Sequence, residues 1–253
     1  MAHDNGREGI PTGAIPLFGK IGGLVAGDQI TLAGRPGMLK SSLGWNLSAD
    51  VCVKRKVPTI IFSLEMTKEQ VGRSILAKLE GVAVSDLPRV LDKARLDKIS
   101  NSPIRMIEKS NTSIEQIERI TRHYSDSRLV IVDHLQRVEG PRAENRNLQV
   151  GQIARRLKGM AKDRSLTVVT LCQLNRVDEC EEPSLSALRD SGEIEQESDA
   201  IIFLWSSEKD NRIKRMINLT MTLAKNRHGS TARDTFRADK ALKTLTDIYG
   251  EVY

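Results

Sequence analysis

Short apolar runs alternate with stretches of helical apolar spacing along most of the 253-residue chain. The apolar runs predict strands over 29–33, 58–63, 104–107, 129–132, 167–171, 200–205 and 217–223. Apolar residues three or four apart predict helices over 43–51, 68–79, 113–123 and 148–164, with a more ambiguous helical region over 87–99. Such alternation predicts an α/β domain, with a mostly parallel twisted sheet and helices on both faces.

The two ends of the chain depart from this alternation. Two short runs, 233–237 and 245–248, predict antiparallel strands that close the C-terminal side of the sheet. Residues 1–15 carry Gly and Pro without an apolar period, so we expect a flexible lead-in. No internal repeat or linker interrupts the remainder, and residues 16–253 are interpreted as one domain.

Composition narrows the class of protein only a little. Hydrophobic residues make up 39% and charged residues 28% of the chain, which is ordinary for a soluble globular protein. A formal charge of +6 favours a polyanionic partner such as nucleic acid, although many soluble proteins carry a similar excess. The polar N-terminus and the absence of an apolar run near 20 residues predict a cytoplasmic protein without membrane contact.

The three cysteines give no sign of a shared site. Cys52 and Cys172 lie in apolar runs, and Cys180 is not paired with either by metal-ligand spacing. We therefore expect neither a disulfide framework nor a zinc site, which fits a reducing compartment.

The most informative stretch is a Gly/Pro-rich turn between the first strand and the first helix. It matches the phosphate-binding pattern G-x-x-x-x-G-K-[ST], except that Leu39 takes the place of the second glycine. Loop amides and a helix N-terminus together bind phosphates, while a lysine neutralises them and a hydroxyl binds Mg²⁺. A generic strand-to-helix turn is the alternative. The predicted nucleotide-binding residues are Gly34, Arg35, Pro36, Gly37, Met38, Leu39, Lys40, Ser41 and Ser42, with Ser41 as the magnesium ligand.

Three further polar residues follow predicted strands, where ligands of parallel sheets bind. Glu65 is a candidate for orienting an attacking water, with capping of the next helix as the alternative. Asp133 follows four apolar residues and is a candidate for holding Mg²⁺ through water. Gln173 is a candidate sensor of the γ-phosphate, or simply a satisfied polar residue at a strand end.

Cations in two other stretches are candidates for phosphate contacts. Arg142 and Arg146 lie in a polar loop after Asp133 and are candidates for binding a nucleic-acid backbone, unless the loop is merely solvated. Lys225 and Arg227 lie two apart at a strand end, so both project to the same side. They suit a phosphate, such as one bound by a neighbouring subunit; an exposed hairpin tip is the alternative.

Taken together, these residues resemble the RecA-like C-terminal motor domain of the DnaB-type replicative helicases. The resemblance extends from about residue 12 to the C-terminus, and the matching stretches occur in the family's order. They are 33–41 (AGRPGMLKS), 61–66 (IFSLEM), 131–136 (IVDHLQ), 144–148 (ENRNL), 171–176 (LCQLNR), 188–199 (LRDSGEIEQESD) and 224–229 (AKNRHG).

The resemblance implies a RecA-like P-loop fold and a motor that hydrolyses ATP with Mg²⁺ between subunits of a ring, usually hexameric, on single-stranded DNA. It implies that Glu65 is the catalytic base and that Gln173 senses the nucleotide state. Lys225 and Arg227 resemble the pair that reaches into the neighbour's active site. Arg142 and Arg146 fall in the family's DNA-binding loop, and a primase or a helicase loader is an implied partner.

Three departures from the family pattern stand out. Leu39 replaces the loop glycine, at a cost of roughly 1–2 kcal/mol if the position requires a positive φ. His134 stands where bacterial members usually have Tyr, which is similar to the phage branch. We also expect no N-terminal collar domain, as in a phage- or plasmid-like version in a bacterial cell or phage-infected host. A RecA-like DNA-dependent ATPase of recombination or helicase loading, without processive unwinding, is therefore the alternative function.

Overall fold

The computed structural model describes residues 9–174, 181–188, 192–208 and 214–246. Within them, one sheet of nine strands has the spatial order β3-β2-β4-β5-β1-β6-β7-β8-β9. The strands are β1 (Gln29–Gly34), β2 (Thr59–Ser63), β3 (Ile104–Glu108), β4 (Leu129–Asp133), β5 (Thr167–Gln173), β6 (Ala200–Trp205), β7 (Met216–Asn226), β8 (Ala232–Asp239) and β9 (Thr244–Thr246).

Seven α-helices accompany the sheet in the described part of the chain. They are α1 (Lys40–Ser48), α2 (Lys68–Glu80), α3 (Leu87–Val90), α4 (Lys93–Ser100), α5 (Ile114–His123), α6 (Arg146–Asp163) and α7 (Gly192–Glu197). Short 3₁₀-helices cover Pro16–Ile21, Leu135–Arg137 and Leu185–Leu188, and a π-helical turn over Ala49–Lys54 extends α1.

The strand directions confirm the predicted fold class. Strands β1 to β6 pair in parallel, and β7, β8 and β9 add on in antiparallel pairs after β6. The central strands β1, β2 and β4 are buried along their whole length, as expected when both faces of a parallel sheet are covered. One apolar cluster packs α1 and α2 on one face, and a second packs α5 and α6 on the other.

The helical region predicted over 87–99 is two helices rather than one. Leu91 is extended, with ψ at 128°, and ends α3, while the Asp92 carboxylate accepts the N–H of Arg95 and caps α4. An aspartate cap starts a new helix because its carboxylate replaces a missing backbone partner. The short helix α7 and the turn Pro16–Ile21 carry too few apolar periods to be predicted from spacing.

The N-terminal segment from residue 9 onward is attached to the rest of the domain. The backbone of Ile10 exchanges hydrogen bonds of 2.9 and 3.0 Å with Leu24, and Ile15 is fully buried, so the predicted lead-in is packed from residue 9 onward.

Cys52 and Cys172 are buried, as predicted, and Cys180 lies outside the described residues. Of strand 245–248, the described part belongs to β9 and residues 247–248 lie outside. No described helix is long and apolar enough to span a membrane.

Candidate functional site

The phosphate-loop candidate joins β1 to α1 through a tight turn. A Cβ on Gly34 would lie 2.7 Å from the carbonyl oxygen of Leu204, so only glycine allows β1 and β6 to approach this closely. Gly37 has a φ of +83°, in the region that favours glycine. Met38 is buried in the apolar core, which leaves only its backbone available to a ligand.

Leu39 adopts the left-handed conformation that the motif's second glycine would supply. Its φ is +58° and its ψ is 17°, immediately before α1. For a residue with a Cβ, this conformation costs roughly 1–2 kcal/mol. The side chain of Leu39 packs against the larger apolar cluster, which offsets part of that cost. The loop therefore keeps the glycine backbone geometry with leucine in the position.

Lys40, the first residue of α1, lies over the loop. Its Nζ donates hydrogen bonds to the carbonyl oxygens of Gly34, at 2.6 Å, and Arg35, at 3.0 Å. Burial lowers the pKa of Lys40 to about 8, against the opposing effect of the Asp133 carboxylate. An ammonium that is partly desolvated in this way gains more from a phosphate than an exposed one would.

Asp133 ends β4 beside the loop, opposite Ser63 on β2 and Leu171 on β5. Its side chain is buried, and burial raises its pKa to about 6, while a hydrogen bond with the Ser41 hydroxyl acts in the opposite direction. Its Oδ2 is buried and accepts no hydrogen bond from the described residues. A buried carboxylate oxygen without a donor, next to a hydroxyl, fits an oxygen-liganded cation such as Mg²⁺.

Glu65 lies at the mouth of the same site. Thr67, not Glu65, caps α2, because its hydroxyl accepts the N–H of Gln70 in a reciprocal capping box. The Glu65 carboxylate is half exposed, with Oε2 3.2 Å from His134 Nδ1 and Oε1 3.6 Å from Arg137. Burial lowers the pKa of His134, although the Glu65 carboxylate favours its charged form. The helix-cap interpretation of Glu65 is therefore wrong.

Gln173 ends β5 opposite Gly34, so the predicted sensor lies next to the loop. Its backbone N–H donates to Oε1 of Gln136 at 3.1 Å, and Nε2 of Gln136 donates back to the Gln173 carbonyl at 2.9 Å. Gln136 was not among the predicted site residues, and neither were His134 and Arg137 as partners of Glu65. Their only sequence signal is a polar run directly after the strand that ends at Asp133.

Lys225 and Arg227 lie at the opposite edge of the sheet from the loop. Lys225 is near the C-terminal end of β7, opposite Ile201 at the start of β6, whereas Gly34 is opposite Leu204 at that strand's other end. From Gln29 to Gly34 the strand β1 spans roughly 17 Å. The two cations do project together, because both donate to the carbonyl oxygen of Gln196.

The two arginines of the predicted DNA-binding loop have different surroundings. Arg146 is the first residue of α6 and donates to the carbonyl oxygens of Gln136, at 2.5 Å, and Val138, at 3.0 Å. Arg142 is exposed in the loop before α6. Arg146 thus orders the loop, and Arg142 is presented to solvent.

Comparison with known proteins places these features in a family context. A family model described as the DnaB-like helicase C terminal domain matches residues 9–247. The replicative DNA helicase DnaB of Pasteurella multocida is 36% identical over 225 residues, covering 82% of this chain and 48% of the relative. A probable plasmid replicative DNA helicase of Chlamydia trachomatis is 30% identical over 256 residues, covering 95% and 55%. The chain therefore spans about half the length of these relatives.

Two solved structures share the fold over nearly the whole chain. One, described as an ATPase domain, superposes with a TM-score of 0.84 at 25% identity, covering 97% of this chain and 93% of that one. A DnaB-like replicative helicase, described together with its interactions with primase, gives a TM-score of 0.81 at 26% identity, covering 96% and 64%. The agreement extends from the parallel sheet to its antiparallel C-terminal strands.

Proposed function

Because this chain belongs to the DnaB-like helicase C-terminal domain family, we propose that it is the ATP-hydrolysing motor of a replicative DNA helicase. The observation that carries the proposal is the convergence of Lys40, Asp133 and Glu65 at one edge of the sheet. Each side chain supplies a function that nucleotide hydrolysis requires, and together they surround a phosphate-binding loop.

The residues of this edge have separate roles in the proposed reaction. The loop amides and Lys40 bind the β- and γ-phosphates, and Glu65 orients the water that attacks the γ-phosphate. Mg²⁺, held by the Ser41 hydroxyl and through water by Asp133, would neutralise charge on the phosphates when bound. Gln173, adjacent to Gly34, would sense whether the γ-phosphate is present.

The far edge of the sheet supplies the missing cations from a neighbouring subunit. Lys225 and Arg227 lie at the wrong end of the strands to reach the loop of their own chain. Head-to-tail association of copies brings such an edge against the next subunit's loop, and closure of the series gives a ring. A hexamer is the arrangement that the family resemblance implies.

Single-stranded DNA is the proposed polyanionic partner. The formal charge of +6 fits a phosphate backbone, and the exposed Arg142 is the best placed of the two predicted DNA contacts. A primase or a helicase loader is a further proposed partner, with the bacterial cell or phage-infected host as the compartment. One of the structural relatives is described with its primase interactions.

Steady-state ATP hydrolysis with and without single-stranded DNA tests the proposal. We expect stimulation by DNA, and a fall in kcat of about a hundredfold or more for Glu65→Gln with ATP binding retained. Glu69→Gln, on the same segment but outside the site, is the matched control and keeps its turnover. Hydrolysis that is insensitive to both DNA and Glu65→Gln would contradict the proposal.

Two additional measurements separate the parts of this function. Arg142→Ala should weaken binding to single-stranded DNA and lower the slope of log affinity against log salt by about one.

An unwinding assay on a forked duplex distinguishes a helicase from an ATPase that does not separate strands. Hydrolysis that DNA stimulates, without strand separation, would favour a DNA-dependent ATPase of recombination or helicase loading.

A further inference from the structure

The two cations of the far edge repel each other unless the surrounding residues counter the repulsion. Lys225 lies near the end of β7 and Arg227 follows directly after it, and the pKa of Lys225 is lowered, first by burial and then by the Arg227 charge. A flexible, self-repelling pair of long side chains would lose conformational entropy on every encounter with a neighbouring active site. A group that orders the two side chains in advance would remove this cost.

A buried carboxylate, that of Asp199, faces this pair. Its Oδ1 accepts a hydrogen bond of 3.0 Å from Nη1 of Arg227. Its Oδ2 accepts the backbone N–H of Gln29 at 2.8 Å and Nζ of Lys158 at 2.5 Å. Asp199 is thus shared between an arginine at the surface and a lysine beneath it, and all these contacts are charge-assisted hydrogen bonds.

The backbone of Asp199 is fixed as firmly as its side chain. Its N–H donates to the carbonyl oxygen of Gln29 at 2.8 Å, and its carbonyl oxygen accepts the N–H of Arg227 at 2.8 Å. Asp199 is therefore bound to β1 on one side and to the end of β7 on the other. The sheet itself determines where the carboxylate lies relative to Arg227.

The end of α7 completes the arrangement. The carbonyl oxygen of Gln196 accepts from Nη2 of Arg227 at 2.5 Å, and that of Glu195 accepts from Nζ of Lys225 at 2.5 Å. These carbonyls belong to the last turn of the helix, where no backbone N–H is available to them. The two carbonyls therefore hold the Lys225 ammonium and the Arg227 guanidinium side by side at the end of α7.

The difference in exposure between the two cations bound to Asp199 is informative. The Lys158 side chain is 7% exposed and the Arg227 side chain 44%. If Arg227 moves toward a neighbouring subunit, the Lys158 ammonium still lies against Asp199, so this carboxylate keeps a buried counter-charge. The arrangement therefore holds Arg227 in a defined position without trapping it.

A metal ion is a poorer explanation of the same carboxylate. Ligand atoms of Asp28, Asp199 and His228 come within 4.8 Å of one another, which is a spacing that a cation could use. However, the Lys158 ammonium already lies against Asp199, and it also donates to the Gly27 carbonyl at 2.6 Å. The Lys158 ammonium therefore already supplies the positive charge that a bound metal ion would bring.

We propose that Asp199 is the positioning residue for Arg227, holding its guanidinium ready for the γ-phosphate bound by a neighbouring subunit. This inference rests on the proposed function, in which Arg227 acts across a subunit interface. Asp199 contacts no nucleotide in this account. Its effect on turnover passes entirely through Arg227.

The first test is the steady-state ATPase of Asp199→Asn on the full chain with single-stranded DNA. The variant retains a hydrogen-bond acceptor but loses the charge, and kcat should fall about tenfold while KM for ATP stays within about twofold. Because Asp199→Asn leaves Lys158 without a counter-charge, the double variant Lys158→Gln, Asp199→Asn is measured as well. This double variant removes both charges and should show the same fall in kcat.

A double-mutant cycle with Arg227→Ala decides whether the effect passes through Arg227. Asp199→Asn should cause no further loss in the Arg227→Ala background. An equal loss in both backgrounds, an unchanged kcat in both Asp199 variants, or a gain in turnover would overturn the positioning role. If Arg227→Ala itself leaves kcat unchanged, the interface mechanism of the proposed function fails, and this inference fails with it.

Discussion

In the proposed function, the two edges of the sheet would carry opposite halves of a hydrolytic site. At the carboxyl ends of the parallel strands, Lys40, Asp133 and Glu65 surround the phosphate loop. At the other edge, Lys225 and Arg227 are held by a carboxylate and by helix carbonyls, about the length of β1 away. Under that proposal, neither edge is sufficient for efficient hydrolysis by itself, because the loop edge needs cations from a neighbouring subunit and the far edge binds no nucleotide.

This difference explains why the electrostatics of the two edges are unlike. Burial desolvates Lys40 and Asp133 at the loop and shifts the pKa of each toward neutrality, as is common where a charged ligand binds. The cations of the far edge are satisfied within the chain and remain partly exposed. The loop edge is therefore suited to binding a nucleotide, and the far edge to contacting a neighbouring subunit.

The largest effects should come from removing one cation at each edge. Lys40→Ala should abolish measurable hydrolysis and weaken ATP binding, because it deletes a phosphate contact. Arg227→Ala should lower kcat about a thousandfold or more while ATP binding stays nearly unchanged. Measurement of turnover and of equilibrium binding of a fluorescent ATP analogue checks both, with Lys93→Ala and Arg122→Ala as exposed controls. A large loss of binding in Arg227→Ala would contradict the separation of the edges.

Asp133→Asn should lower turnover about a hundredfold and stabilise the Mg²⁺-free protein. Burial raises the pKa of Asp133 from 3.8 to about 6, so ionisation opposes folding. The stabilisation that comes from keeping the Asp133 carboxyl protonated in the folded state is fully present below pH 3.8. It is lost as the pH rises through 6. At pH 8 the variant should therefore be more stable by on the order of 1–3 kcal/mol, a difference that disappears below about pH 4.

Urea denaturation across pH, without Mg²⁺, measures this second effect. Asp126→Asn, which alters an exposed carboxylate, is measured alongside as the control. If Asp133→Asn is less stable than the original protein at about pH 8, the conclusion that ionisation of this carboxyl opposes folding is wrong.

The loop edge was predictable from sequence, and the far edge only in part. Glu65, Asp133 and Gln173 each follow an apolar run directly, and parallel strands bring such positions to one edge without any knowledge of strand order. The association of Asp199 with Lys158 depends on β6 lying beside β1, and no local pattern encodes that pairing. Similarly, only the register of β7 against β6 shows that the C-terminal end of β7, which Arg227 follows, lies away from the loop.

Leu39→Gly should produce the smallest change at the loop edge. Glycine relieves the left-handed strain of about 1 kcal/mol, but the packing of the leucine side chain is lost, so net stability should change by less than about 1 kcal/mol. Turnover should stay within a few-fold, because the backbone geometry at φ +58° is already correct. Lys56→Gly, at another position with φ near +59°, is the matched control for strain outside the site. A tenfold gain in turnover would show that the leucine obstructs the phosphates.

The most direct test of a composite site mixes two inactive variants. Lys40→Ala lacks a working loop but retains Arg227, and Arg227→Ala lacks that cation but retains the loop. In the proposed head-to-tail assembly, mixed oligomers contain interfaces at which both halves are intact, so the mixture should hydrolyse ATP faster than the sum of the two separate variants. Native mass spectrometry of the mixture verifies that subunits have exchanged. Mixed rings whose rate only equals that sum would contradict catalysis shared between neighbouring subunits.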